Sequence, residues 1–205
     1  MRNTKVLVAD ANSTDGTQEV VNGFRAALDV CVVPGGLPSV GRNAGAALAI
    51  TPYVLFLDAD IELASPSLIR RAVELAQNKN LDCVTTNIIC REGNFADKLL
   101  YVGNDLFQYL SRLHRPFSTG MFMLFNRRRF NELGGFDVRI HFAEDYHLSK
   151  QVKRSKFGIV RGGVHTTNRR FQKMGHARVA RLFLATAFNF WNKKFFLRDH
   201  KYWEA

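Results

Sequence analysis

Short apolar runs, each closed by a turn and alternating with stretches of helical spacing, constrain this chain more than any other feature. Lys5-Val6-Leu7-Val8-Ala9 runs into Asp10-Ala11-Asn12-Ser13-Thr14-Asp15-Gly16, and Val30-Cys31-Val32-Val33 is closed by Pro34-Gly35-Gly36. Pro52-Tyr53-Val54-Leu55-Phe56-Leu57 ends in Asp58-Ala59-Asp60, and a fourth run spans Leu81 to Ile89. Apolar runs of this length bounded by turn residues read as buried strands. Between them, Val20, Val21, Phe24 and Leu28 recur at helical spacing, with Ser13 or Thr14 as the expected cap. Gly41 to Ile50 is a helix of small residues, and Ser65-Pro66 reads as cap and first turn of a helix carrying Leu68, Ile69, Ala72, Val73 and Ala76. Strand–helix alternation predicts an α/β fold with a mainly parallel sheet flanked by helices. Ligands bind such sheets at the carboxyl ends of the strands, where the acidic turns at Asp10 and at Asp58/Asp60 fall.

The second half is less regular. Phe95 to Leu113 reads as a helix, Met121 to Phe125 as a strand, and Arg127 to Leu133 as a short helix stopped by Gly134-Gly135. Glu144 to Lys153 is expected to be helical and Phe157 to Val160 extended. At 205 residues the chain is long enough for one domain of ordinary size. Its 46% hydrophobic and 23% charged residues exclude a disordered or collagen-like chain. Cys31, Cys83 and Cys90 have no metal-type spacing and suggest a reduced, cytoplasmic setting. No apolar run reaches the roughly 18 residues of a membrane span.

The net charge of +11 is concentrated at one end: residues 150–205 hold 14 Lys and Arg against 2 Asp and Glu. A segment of that kind seeks an anionic partner such as nucleotide phosphates, nucleic acid or lipid headgroups.

Asp58-Ala59-Asp60 is the sharpest local feature. Carboxylates two apart in an extended segment point to one side and can hold Mg²⁺ or Mn²⁺, or they simply form an acidic turn. Glu144-Asp145 opens a helix, where carboxylates favour the helix dipole; as a functional pair they could take a proton from an acceptor hydroxyl. Arg169-Arg170, among Lys173, His176 and Arg178, is either a phosphate-binding cluster or a solvated basic face. His165 reads as a metal ligand or a strand histidine.

In this order, these pieces resemble the family-2 glycosyltransferases of the GT-A fold. The matching stretches are Val8 to Thr17, Gly41-Arg42-Asn43-Ala44-Gly45, Phe56 to Asp60, Thr119-Gly120-Met121-Phe122, Gly134-Gly135-Phe136-Asp137 and Ala143 to Ser149. The resemblance implies a metal-dependent, inverting transfer from a UDP- or GDP-linked sugar to a glycan or lipid-linked hydroxyl. It implies that Asp10 contacts the base or ribose, that Arg42 and Asn43 lie near the nucleotide, that Asp58 approaches the ribose, and that Asp60, with Asp58, holds the metal on the diphosphate. Asp145 would be the catalytic base, supported or replaced by Glu144, with Arg169 and Arg170 near the donor phosphates or the acceptor. The family pattern begins with one more strand and helix than this sequence shows before Lys5. The expectation is therefore an N-terminally truncated GT-A domain over residues 1–177, with its true start upstream and its base specificity open.

Residues 178–205 form a separate basic, aromatic segment, expected to be helical in part. Phe183, Phe188, Phe190, Trp191, Phe195, Phe196, Tyr202 and Trp203 are interleaved with Arg178, Arg181, Lys193, Lys194, Arg198 and Lys201. Such mixing suits peripheral contact with the cytoplasmic face of a membrane, or a helix that covers the core and turns its cations to water. Two alternatives to an active transferase stand beside this reading. One is an inactive fragment that keeps the motifs. The other is a basic nucleic-acid-binding protein, against which the acidic strand ends argue by repelling a phosphate backbone.

Overall fold

The computed structural model describes residues 4–189 and 191–198. The first two apolar runs form β1 (Val6–Asp10) and β2 (Val30–Pro34), which pair in parallel with Val6 opposite Val30 and Asp10 opposite Pro34. Between them lies α1 (Thr17–Gly23), and after them α2 (Pro38–Ala47). The next elements are β3 (Tyr53–Leu57), the two-residue β4 (Glu62–Leu63), α3 (Leu68–Asn78), β5 (Cys83–Glu92) and α4 (Phe95–Ser111). They are followed by β6 (Phe122–Asn126), α5 (Arg127–Glu132), α6 (Glu144–Ser149) and β7 (Phe157–Thr167). The chain closes with α7 (Arg169–Met174), α8 (His176–Phe188) and α9 (Lys193–Phe196).

The strands form two sheets, β1-β2 and β3-β6-β5-β7-β4. The α/β class expected from the sequence holds, but the larger sheet is mixed rather than mainly parallel. Only β5 and β7 run parallel in it; β6 runs against both β3 and β5, and β4 against β7. The apolar pattern of a strand is the same whichever way its neighbour runs, so direction is not written in periodicity. Here the stretch 112–121 after α4 returns the chain so that β6 enters between β3 and β5 from the opposite end.

Several helix starts also differ. Gly16, with φ 84°, precedes α1, and no side chain caps it; Asp15 instead accepts hydrogen bonds from the Thr17 backbone and hydroxyl at 3.1 and 2.5 Å. The helix after Ser65-Pro66 starts only at Leu68, and α2 starts at Pro38 rather than Gly41. The apolar side of α1 stays open, with Val20, Phe24 and Leu28 each about half exposed or more and no buried residue in the helix.

The core is built around the larger sheet. Leu68, Ala72 and Ala76 of α3 pack on Val84, Ile88, Val160 and Val164 of β5 and β7. Burying a side chain such as Leu68 contributes about 1.5–3 kcal/mol. On the other face, Phe56, Phe130 and Phe136 meet at centroid distances of 5.0–5.7 Å, Phe136 edge-on to both partners. The boundary expected at residues 177/178 falls inside α8, whose Val179 is buried in the main core, and Phe196 of α9 is fully buried with Ile140, Phe142 and Tyr146. Phe183, Phe188 and Trp191 are exposed beside exposed Arg178, Arg181, Lys194 and Arg198. Phe190, Lys201, Tyr202 and Trp203 lie outside the described residues. Among the described residues no helix is long and apolar enough to cross a membrane.

Candidate active site

The site begins with the small residues of α2. A Cβ on Gly41 would stand 2.9 Å from the Ala9 Cβ, and one on Gly45 would stand 3.7 Å from the Leu7 Cβ. That close approach lays α2 on β1 and carries Arg42 and Asn43 to the carboxyl ends of the strands.

Arg42 is the centre of the arrangement. Its Nη2 donates to Asp58 Oδ1 at 2.7 Å, just beyond β3, and its Nη1 donates to Glu144 Oε1 at 2.5 Å, at the start of α6. The guanidinium lies 5.5 Å from the centroid of the Phe136 ring. It also lies directly against Gly120, where any Cβ would collide with it. Burial opposes the charge on Arg42, but Asp58, Glu144 and Asp145 raise its pKa.

The α6 pair is enclosed. Glu144 is 4% exposed and is held by Arg42. Asp145, half-buried, accepts from the Gly120 backbone N–H at 2.6 Å on Oδ2 and from the Tyr146 N–H at 2.7 Å on Oδ1. Burial raises the pKa of both carboxyls; the Asp145 charge adds to the rise on Glu144, while Arg42 and the backbone donors oppose it. The preceding Ala143 has a left-handed backbone at φ 56°, a conformation that costs about 1–3 kcal/mol for a non-glycine residue.

The remaining candidates divide. Asp60 stands apart from the Arg42 cluster, its Oδ2 3.4 Å from Arg169 Nη2 at an exposed pair. Arg170 is half-buried beyond it on α7. Asp10 is 6% exposed and is occupied by its own turn, accepting from the Ser13 N–H at 3.1 Å and from Gln18 Nε2 at 2.8 Å, contacts that lower its pKa. Asn43 is committed to the Phe136 backbone: its Nδ2 donates to the carbonyl at 2.8 Å, and its Oδ1 accepts from the N–H at 3.0 Å. It holds the Gly134-Gly135 turn, where Gly135 has φ 70° and a Cβ would come within 2.7 Å of the Asn43 oxygen.

The residues suit a divalent ion in part. Asp58 is taken by Arg42, which leaves Asp60 as the accessible carboxylate. His165 on β7 lies opposite Glu62, two residues past Asp60, and its buried Nδ1 has no hydrogen-bond partner. Among the described residues no three His, Cys, Asp or Glu side chains converge on one point. An ion here would complete its shell with phosphate oxygens and water, as Mg²⁺ and Mn²⁺ commonly do.

Sequence reasoning missed two parts of this region. Gly120 stood in the matching Thr119-Gly120-Met121-Phe122 stretch, but its role was not legible there, because both its donor and its lack of a side chain act on residues far along the chain. Asp97, 1% exposed, accepts from Asn168 Nδ2 at 3.1 Å and meets His176 Nε2 at 2.6 Å, tying the Arg169/Arg170 stretch to the start of α4. Its capping box with Asn94 was legible from the Asn94-to-Asp97 spacing.

The model of the family described as "Glycosyl transferase family 2" matches residues 1–134. The chain belongs to glycosyl transferase family 2. No curated protein matches it. Solved structures place this family-2 chain on the GT-A fold. A mannosyltransferase of Pyrobaculum calidifontis, in complex with GDP-Man and Mn²⁺, superposes with TM-score 0.62 at 19% identity, over 86% of this chain and 55% of that one. TarS 1-349 of S. aureus, in complex with UDP, superposes with TM-score 0.60 at 18% identity, over 80% and 51%. Mannosyl-3-phosphoglycerate synthase of Rubrobacter xylanophilus gives TM-score 0.56 at 16% identity, over 97% and 67%. The chain thus spans about half the length of the first two.

Proposed function

We propose that this chain transfers a sugar from a nucleotide-diphosphate donor to an acceptor hydroxyl, with inversion at the anomeric carbon. The observation that carries the reading is the Arg42 clamp. One guanidinium joins the Asp58 strand end to the Glu144-Asp145 pair, so a carboxylate proton acceptor and the acidic turn share one cluster. The likeness to structures in complex with GDP-Man and Mn²⁺, and with UDP, supports a nucleotide-sugar donor.

In this reading the donor lies over the strand ends, with Asp10 toward its base and ribose and Asp58 toward the ribose. Asp60 and His165 would hold Mg²⁺ or Mn²⁺, which when bound supplies positive charge to the departing diphosphate. Arg169 and Arg170 add donors for the same oxygens. Asp145 takes the proton of the incoming hydroxyl. Its two backbone hydrogen bonds fix the carboxylate plane and leave lone pairs on both oxygens. Arg42 sets a positive charge beside it, and Glu144 holds Arg42 in place. Attack on the face opposite the leaving group inverts the carbon in a single displacement. The acceptor is a glycan or lipid-linked hydroxyl, and the exposed aromatic and basic side of α8 would rest on the membrane that carries a lipid-linked one.

The test separates binding from chemistry. Asp145→Asn is expected to keep donor affinity within a few-fold and to lower turnover about 10²-fold or more. Asp60→Ala is expected to abolish the metal dependence of donor binding in a calorimetric titration. Retained turnover in Asp145→Asn alongside its loss in Glu144→Gln would move the base to Glu144.

A further inference from the structure

The helix α4 is built with its polar side inward. Asp97, Gln108 and Ser111 are buried against the body of the protein beside Tyr101 and the partly buried Leu100, while much of its outward side is apolar. Phe95, Leu99, Val102, Leu106, Tyr109 and Leu113 are each 43–81% exposed. They recur at alternating steps of four and three, the spacing of a seam that meets another helix. Leu110 and Phe107, also exposed, widen the face. Together these side chains expose on the order of 800 Å², comparable to one partner's share of a stable protein interface. It exceeds the largest apolar patch of a typical monomer, about 300–600 Å².

A second observation says what kind of surface covers it. Gly103 is the central residue of α4 and lies in the same exposed sector. A Cβ there would meet nothing within 4 Å, so no contact among the described residues requires glycine. Glycine inside a helix lowers its stability, and where a side chain would be free to stand, its absence is of use only to a neighbour that comes close. Ala96, exposed one heptad earlier, extends the shallow track. A symmetric crossing of two helices at their midpoints uses such a track. A lipid surface does not need one, although exposed Lys98 and Arg112 border the sector beside Tyr109.

We propose that two copies of this chain pair through α4, antiparallel and crossing at Gly103. The chain carries a net charge of +11, so two copies repel one another. Salt should therefore tighten the pairing, whereas it would weaken attraction to an anionic membrane.

Sedimentation of the full chain between about 1 and 100 μM, in 0.1 and 0.5 M salt, is expected to show a dimer that is favoured at the higher salt. Leu106→Glu should weaken it at least tenfold with unchanged circular dichroism and melting temperature, because Leu106 is 57% exposed. Gly103→Leu is the decisive variant. It adds apolar area and helix propensity, so it should strengthen any loose apolar or lipid contact, but it should abolish a crossing at this point. In a Cys31→Ser background, Gly103→Cys should form a cross-linked dimer on mild oxidation, and Arg128→Cys, on a helix remote in sequence from α4, should not. A chain that stays monomeric throughout overturns the proposal. So does a dimer indifferent to Leu106→Glu or strengthened by Gly103→Leu, or a monomer that binds anionic vesicles and loses them on Leu106→Glu.

Discussion

Arg42 serves three carboxylates at once, and its removal has a predictable pH signature. Asp145 is held above its usual pKa by burial, and Arg42 opposes that rise. As the proposed base, Asp145 works in its ionised form, so activity is expected to fall as pH drops through this pKa. Arg42→Met is therefore expected to move the acid limb of the kcat/KM profile to higher pH. Glu144, also raised by burial, binds its proton more tightly folded than unfolded. Its contribution to stability is thus fullest below the ordinary glutamate range and is lost as pH rises through the folded value. The destabilisation in Arg42→Met should accordingly be larger at neutral pH than at pH 5, as urea melts at the two values would show. Gly120→Ala should reproduce the defect with Arg42 intact, because its methyl group takes the space of the guanidinium; overpacking of this kind costs about 1–3 kcal/mol. At this scale the sequence disclosed identities more readily than tasks. Asp58, Glu144 and Asp145 stood out as paired acids, yet nothing local shows that Asp58 is bound by an arginine 16 positions away, or that Asn43 serves the Phe136 backbone 93 positions away.

Among the elements, α4 depends on its beginning. Asn94 accepts from the Asp97 N–H at 2.9 Å while the Asp97 carboxylate accepts from the Asn94 N–H at 2.9 Å. Asn94→Ala should lower stability by about 1 kcal/mol in thermal or chemical melts. Asp97→Ala should be worse, because it also strips His176 and Asn168 of their shared partner and frees the stretch bearing Arg169 and Arg170. Its donor KM should rise, where Asn94→Ala leaves KM near normal. Strand positions were legible, since β1, β2, β3 and β6 fall within a residue or two of the apolar runs that announced them. Helix ends were less so. Ser65-Pro66 has the chemistry of a helix start, but Pro66 and Ser67 form a turn before α3 begins at Leu68. The two-residue β4 has too few residues to show any period and exists only because β7 runs beside it.

At the scale of the whole molecule, the two sheets have unequal support. β5 and β7 lie at the centre of the larger sheet with the main core on one face, whereas β1 pairs only with β2 among the described residues, and α1 beside them buries nothing. The smaller sheet is joined to the larger through α2, by the Arg42 and Asn43 contacts and by Ala46 packed in the aromatic cluster. Segments with few buried contacts open at lower free energy than the global unfolding that exposes a core strand. Backbone amides of β1 and β2 should therefore exchange with deuterium well before those of β5 and β7. Asp10, at the end of β1, thus rides on the part of the protein that opens most readily. A nucleotide that bridges Asp10 and Asp58 would act as a removable staple between the two parts, and the slowing of exchange it produces in β1 would measure how much of its binding free energy goes into holding the molecule closed.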